Sequence, residues 1–195
     1  MANVGSWDVK VVVNSYPQKV ATALGNLKDE LLGVVYEPIA YLGSQVVNGT
    51  NHAVLAEQTV LTGRDTKNIV VLIFNEKPTD VDSATLVGID RVVQSGGPLG
   101  GTSIDAKTEI PEDAMKVWEN AFDGFVGSKV EPFALLGTQL TNGVNYIFAA
   151  KMTPVTLEPV SKIVLVTINE AIKGASFVDI LVDRQEASFG YAFSW

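Results

Sequence analysis

Residues 44–54 read SQVVNGTNHAV, and residues 138–148 read TQLTNGVNYIF. Both centre on Gln-x-x-Asn-Gly. Asn-Gly between two strand-like runs is a strong hairpin signal, because a type I′ turn needs positive φ at both central residues. The two stretches are offset by 94 positions (138 − 44). Sliding the chain on itself by that offset brings Pro17 onto Pro111, Gly33 onto Gly127, and Glu37-Pro38 onto Glu131-Pro132. It also brings Leu42-Gly43 onto Leu136-Gly137 and Asn75-Glu76 onto Asn169-Glu170. Between Pro17 and Glu76 no gap is needed, and about 20 of the 60 positions are identical. A period this long is a duplicated unit of small-domain size, not a solenoid of short repeats.

Each unit reads in the same order. Pro17 suits the first helical position, with Ser15 upstream as its cap. Val20, Leu24, Leu27 and Leu31 then form one apolar face. In the second unit Pro111 starts the helix and Met115, Trp118, Phe122 and Phe125 make the stripe, which reads as core. Gly33 and Gly127 stand where these helices stop. Strand-like runs follow: YEPIAYLGSQVV into Asn48-Gly49, TNHAVLAEQTVL out of it, then 67–76 and 84–93. The second unit repeats them at 131–141, 144–153, 162–169 and 176–184. The expected fold class is therefore α+β: two tandem units, each one helix packed on a four-stranded antiparallel sheet.

Residues 1–93 make unit one, 94–109 a Gly/Pro-rich linker, and 110–195 unit two with an extra C-terminal strand. The linker motif GGPLGG is not G-x-G-x-x-G and carries no Lys-Ser/Thr, so a phosphate loop is a poor reading. WDVKVVV (7–13) and EASFGYAFSW (186–195) lie outside the duplicated core and read as extra strands.

Composition narrows the function. Net charge is −8, with 14 Lys+Arg scattered against 22 Asp+Glu, so nucleic acid is a poor partner. Cysteine is absent, which excludes disulfides, Cys–metal sites and a Cys nucleophile. The longest apolar runs are strand-sized, so no membrane helix is expected. No signal peptide is visible in MANVGSWDVK and the lack of cysteine does not fix a compartment, so the expected location is the cytoplasm or unknown. The Asn48-Gly49-Thr50 sequon would compete with the turn. No Ser/His/Asp spacing, metal-ligand cluster or matched carboxylate pair is evident, so the chain reads as no enzyme, with no cofactor and no metal. The single histidine, His52, has Tyr146 at the equivalent position of the second unit, and Asp29 recurs as Asp123; a structural His and a solvated helix face account for them.

A helix, a long strand, a Gln-x-Val-x-Gly hairpin and three further strands, found twice, resemble the cystatin superfamily, and most of all its disulfide-free stefins. The resemblance implies inhibition of papain-like cysteine proteases by a three-part wedge: a Gly-containing N-terminal trunk, the Gln-x-Val-x-Gly hairpin, and a second hairpin with Pro followed by Trp or Gly. Carried over by position, the wedge is Gly5, then Gln45, Val46, Val47, Asn48 and Gly49, then Pro78, although Thr79 follows the proline. A weaker second wedge is Gln139, Leu140, Thr141, Asn142 and Gly143. Thr141 there replaces Val, the second hairpin NEAIKGA has no Pro, and Gly100-Gly101 sit inside the linker.

The competing expectation is a non-inhibitory binding or structural module. IVVLIF (69–74) and IVLVTI (163–168) are apolar throughout, where a sheet solvated on one face should alternate. That predicts close contact between the two units, or a homodimer. Tyr191, Phe193 and Trp195 are the aromatic candidates for a sugar or peptide site.

Overall fold

The computed structural model describes residues 5–62, 66–96, 101–173 and 177–186. The chain divides into two compact units near Gln94/Ser95. The first holds strand β1 (Trp7–Val13), helix α1 (Gln18–Glu30), and strands β2 (Val34–Val47), β3 (Gly49–Val60), β4 (Thr66–Glu76) and β5 (Thr85–Gln94). The second holds β6 (Thr102–Lys107), α2 (Glu112–Phe122), β7 (Ser128–Thr141), β8 (Gly143–Pro154), β9 (Lys162–Lys173) and β10 (Phe177–Glu186).

The expected pair of one-helix, four-stranded units is corrected here. The molecule is mainly antiparallel sheet, and each sheet has five strands, in the orders β1-β2-β3-β4-β5 and β10-β9-β8-β7-β6. The added strand precedes the helix and pairs with the strand that follows it: Asp8 lies opposite Ser44, and Ser103 opposite Thr138. Glycine makes room for that pairing. A side chain at Gly43 would run into the Asp8 carbonyl, and one at Gly137 into the Ser103 carbonyl. Strand β6 also runs through the stretch read as a linker. The 94-residue offset carries Trp7–Val13 onto 101–107, so the same strand precedes the helix in both units.

The helices differ from expectation in detail. Pro17 and Pro111 occupy the N-cap position, not the first helical one, and neither cap has a side-chain hydrogen bond, so Ser15 caps nothing. Helix α2 ends at Phe122, short of Gly127, and leaves Phe125 outside it. Phe125 still meets Phe122 edge-on with ring centroids 5.4 Å apart.

The stripes do reach the cores. Val20, Leu24 and Leu27 pack with Tyr36, Tyr41, Val54, Val70, Leu72 and Phe74. In the second unit Ala114, Val117 and Trp118 pack with Leu135, Phe148, Val164, Val166 and Ile168. Strand β4 is apolar on both faces because both are buried: Ile69, Val71 and Ile73, on the side away from the helix, are as enclosed as Val70, Leu72 and Phe74. On β9 the equivalent outward pair, Leu165 and Thr167, is half-buried.

Candidate functional site

The first hairpin ends at a narrow tip. Val47 pairs with Gly49, leaving Asn48 alone between the strands. The expected type I′ turn is not formed, because Asn48 has no positive φ; Gly49 has one, at 102°. The glycine is needed for a second reason. A Cβ at Gly49 would lie 2.5 Å from the Glu76 carbonyl oxygen of β4. Gly143 (φ 113°) faces the Glu170 carbonyl of β9 in the same way. The glycine thus seats each hairpin against the strand that follows it, β4 in one sheet and β9 in the other. Val46 and Val47 stand 44% and 39% exposed at the tip, a large apolar exposure for two adjacent strand residues.

A ladder of amides fixes the hairpin base. Asn75 Nδ2 donates to Asn51 Oδ1 (2.7 Å), and Asn51 Nδ2 donates to Gln45 Oε1 (3.0 Å). Gln45 Nε2 donates to the Gly5 carbonyl (2.8 Å), and the Gly5 amide donates to the Val46 carbonyl (3.0 Å). Both ends of the Gln45 amide are therefore engaged, and it positions the backbone instead of pointing outward. The ladder joins Gly5 to the hairpin, so two parts of the three-part wedge lie side by side. Pro78 is exposed in the β4–β5 loop, two residues beyond Glu76, which pairs with Thr50 in the hairpin. A tight turn shapes that loop, with the Asp80 amide donating to the Lys77 carbonyl (3.0 Å) and the Lys77 amide to Asp80 Oδ2 (2.8 Å).

The second unit repeats the ladder. Asn145 Nδ2 donates to Gln139 Oε1 (3.0 Å) and Asn169 Nδ2 to Asn145 Oδ1 (2.6 Å). Its tip differs. Leu140 is 72% exposed and Asn142 is exposed, but the Thr141 hydroxyl accepts from Asn169 Nδ2 at 3.0 Å and is tied to the ladder. Gly100 and residues 174–176, which include the last two residues of NEAIKGA (169–175), lie outside the described residues, as do Tyr191, Phe193, Trp195 and the Asp29 side chain. Sequence reasoning missed Asn51 as the partner of Gln45 and Asn75 as the partner of Asn51, although all three recur at the 94-residue offset; identity at a polar strand position was the signal.

Beside the hairpin lies a buried polar chain. The Tyr41 hydroxyl meets His52 Nδ1 at 3.0 Å. His52 Nε2 is shut off from solvent and lies 3.4 Å from Glu76 Oε2, at the outer edge of hydrogen-bond reach. Glu76 Oε1 holds Lys19 Nζ at 3.1 Å, and Lys19 Nζ donates to the Asp80 carbonyl at 2.8 Å. Burial lowers the pKa of the His52 imidazole, against a smaller opposite pull from Glu76. In unit two Tyr146 replaces His52, and its hydroxyl donates to Glu170 Oε2 at 3.5 Å. Burial and then the Glu170 and Asp113 carboxylates raise the pKa of that phenol.

The His52 shift has a consequence for stability. A depressed folded pKa means the unfolded chain binds more protons once pH falls below about 6.5. The contribution of His52 is then complete above about pH 6.5 and declines as pH drops through that value towards the folded pKa. Urea midpoints should fall between about pH 7.5 and 5.5, and His52→Gln should flatten that part of the slope. An unchanged slope in His52→Gln would assign it to other groups.

Among the described residues no three His, Asp or Glu side chains converge as a metal site, and no helix is long and apolar enough to cross a membrane. No protein-family model matches the chain. No curated protein matches it.

Proposed function

We propose that this chain is a non-catalytic protein that inhibits papain-like cysteine proteases through the Gln45–Gly49 hairpin. The observation that carries the reading is the pairing of Gly5 with Val46 and Gln45, which sets an N-terminal segment beside two exposed valines at one end of unit one. A narrow apolar tip held by backbone and amide hydrogen bonds loses little conformational freedom on entering a cleft. The residues that carry the resemblance to the cystatin superfamily (Gly5, Gln45, Val47 and Gly49) support the same reading; Thr79 after Pro78 departs from it.

The second unit favours a different use. Its tip carries Thr141 tied to Asn169 where unit one carries a free Val47. A non-inhibitory binding or scaffold role for unit two follows, with unit one as the inhibitory end.

The test is titration of active papain with the purified protein. Saturable inhibition is expected, and Val47→Asp should weaken it by roughly 30-fold or more, the about 2 kcal/mol of a central apolar anchor. The reading fails if micromolar protein leaves papain fully active.

A further inference from the structure

We propose that His52 is a proton-operated latch between the first hairpin and the β4–β5 loop. This stands on the placement of the groups and does not depend on protease binding. His52 pairs across the sheet with Ser44 and follows Asn51 of the amide ladder, so its backbone belongs to the hairpin base. Its ring reaches Glu76, the last residue of β4 before the loop. Glu76 in turn shares Lys19 with the Asp80 carbonyl inside that loop. One carboxylate thus sits between a fixed ammonium and an imidazole that can be charged or neutral.

With His52 neutral, Glu76 serves Lys19, and Lys19 ties helix α1 to the loop. In this state the buried Nε2 reaches Glu76 Oε2 only at 3.4 Å, while Nδ1 is engaged by the Tyr41 hydroxyl. Protonation places a full charge 3.4 Å from Glu76 Oε2, nearly as close as Lys19 is to Oε1. A low-dielectric setting strengthens that pull. Glu76 then divides between two cations, and Lys19's hold on the loop at Asp80 loosens. The groups facing the imidazole are Tyr41 from β2 and Glu76 from β4, with Lys19 of α1 acting through Glu76 and Asp8 of β1 acting on the Tyr41 hydroxyl. His52 is the chain's one histidine, so a change with an imidazole midpoint traces to it.

Unit two is a built-in control. Tyr146 stands for His52 and Asp113 for Lys19, so the Tyr146 phenol meets two carboxylates, Glu170 and Asp113, and no cation. Its hairpin should not respond in the same pH window.

The experiment is a two-dimensional NMR pH titration of the full chain from about pH 7.5 to 4.5, which spans the imidazole range. The expected result is one shared midpoint for the His52 ring and for the backbone amides of Gln45, Thr50, Lys77 and Asp80, while Gln139, Val144 and Ala171 stay still. In Glu76→Gln the His52 ring should still titrate while the loop amides lose that midpoint; Glu76 is only partly buried, so this variant keeps the fold in reach even if His52→Gln unfolds. The proposal is overturned if the loop amides follow only a carboxylate midpoint near about 4, or if their shifts persist unchanged in Glu76→Gln.

Discussion

Gly49→Val is expected to cost on the order of 3 kcal/mol and to detach the first hairpin from β4. Two effects add. A β-branched residue at φ 102° is strained by about 1–2 kcal/mol. The new Cβ must also push away the Glu76 carbonyl, 2.5 Å from its ideal position, and that carbonyl is backbone that cannot swing aside like a side chain. Gly49→Ala shares the clash and most of the strain, so it should recover only part of the loss. Urea denaturation gives the magnitude, and amide exchange at Thr50 and Asn51 gives the location. Wild-type exchange rates at those amides in Gly49→Val would show that the strand accommodates a side chain and that the glycine matters only for the turn.

Phe148→Ala should be the most damaging core truncation, at about 4–5 kcal/mol. Phe148 is fully buried on β8. Its ring meets Trp118 of α2 edge-on at 5.1 Å and lies nearly parallel to Tyr146 at 6.4 Å. Such aromatic pairs add roughly 0.5–1.5 kcal/mol beyond area burial, and large rings around the void cannot collapse into it. Phe74→Ala in unit one removes an equally buried ring. However, Phe74 borders a cleft of about 330 Å³ beside α1, lined also by Ala23, Leu27, Ala84 and Leu86. Water can enter the space vacated there, so its cost should sit near the low end, about 3 kcal/mol. The comparison is made on urea midpoints of the two variants. A larger loss for Phe74→Ala than for Phe148→Ala would refute the role given to the aromatic cluster.

The repeat itself was legible because identity at a fixed offset needs no structural knowledge. From it came both hairpins, both helices, and the strands at 67–76 and 162–169. What sequence did not reveal was how backbone meets backbone. Asn-Gly signals a two-residue turn, but Gly49 is shaped by the neighbouring β4 carbonyl, 27 residues away along the chain (76 − 49). Strand β6 was hidden by flanking glycines and by TSIDAK, which is short and polar on alternate positions; only the offset from Trp7–Val13 points to it. Gln45 looked like a contact residue because its true partners, Gly5 and Asn51, are brought to it by sheet register. The apolar β4 run was read correctly as buried on both faces, since Ile69, Val71 and Ile73 leave no alternation to find.

The glycine seat and the amide ladder confine variation to a small address. Within each Gln-x-x-Asn-Gly the first and last residues, Gln and Gly, are committed to holding the strand ends. The residues between Gln and Asn whose side chains take no part in that hold, Val46-Val47 in one copy and Leu140 in the other, can change without disturbing what lies beneath, whereas Thr141 is tied to Asn169. The molecule therefore carries two independently editable labels, each on a mount of the same build. A lineage could respell one label for a new partner while the other kept its old meaning, and neither change would need a new fold.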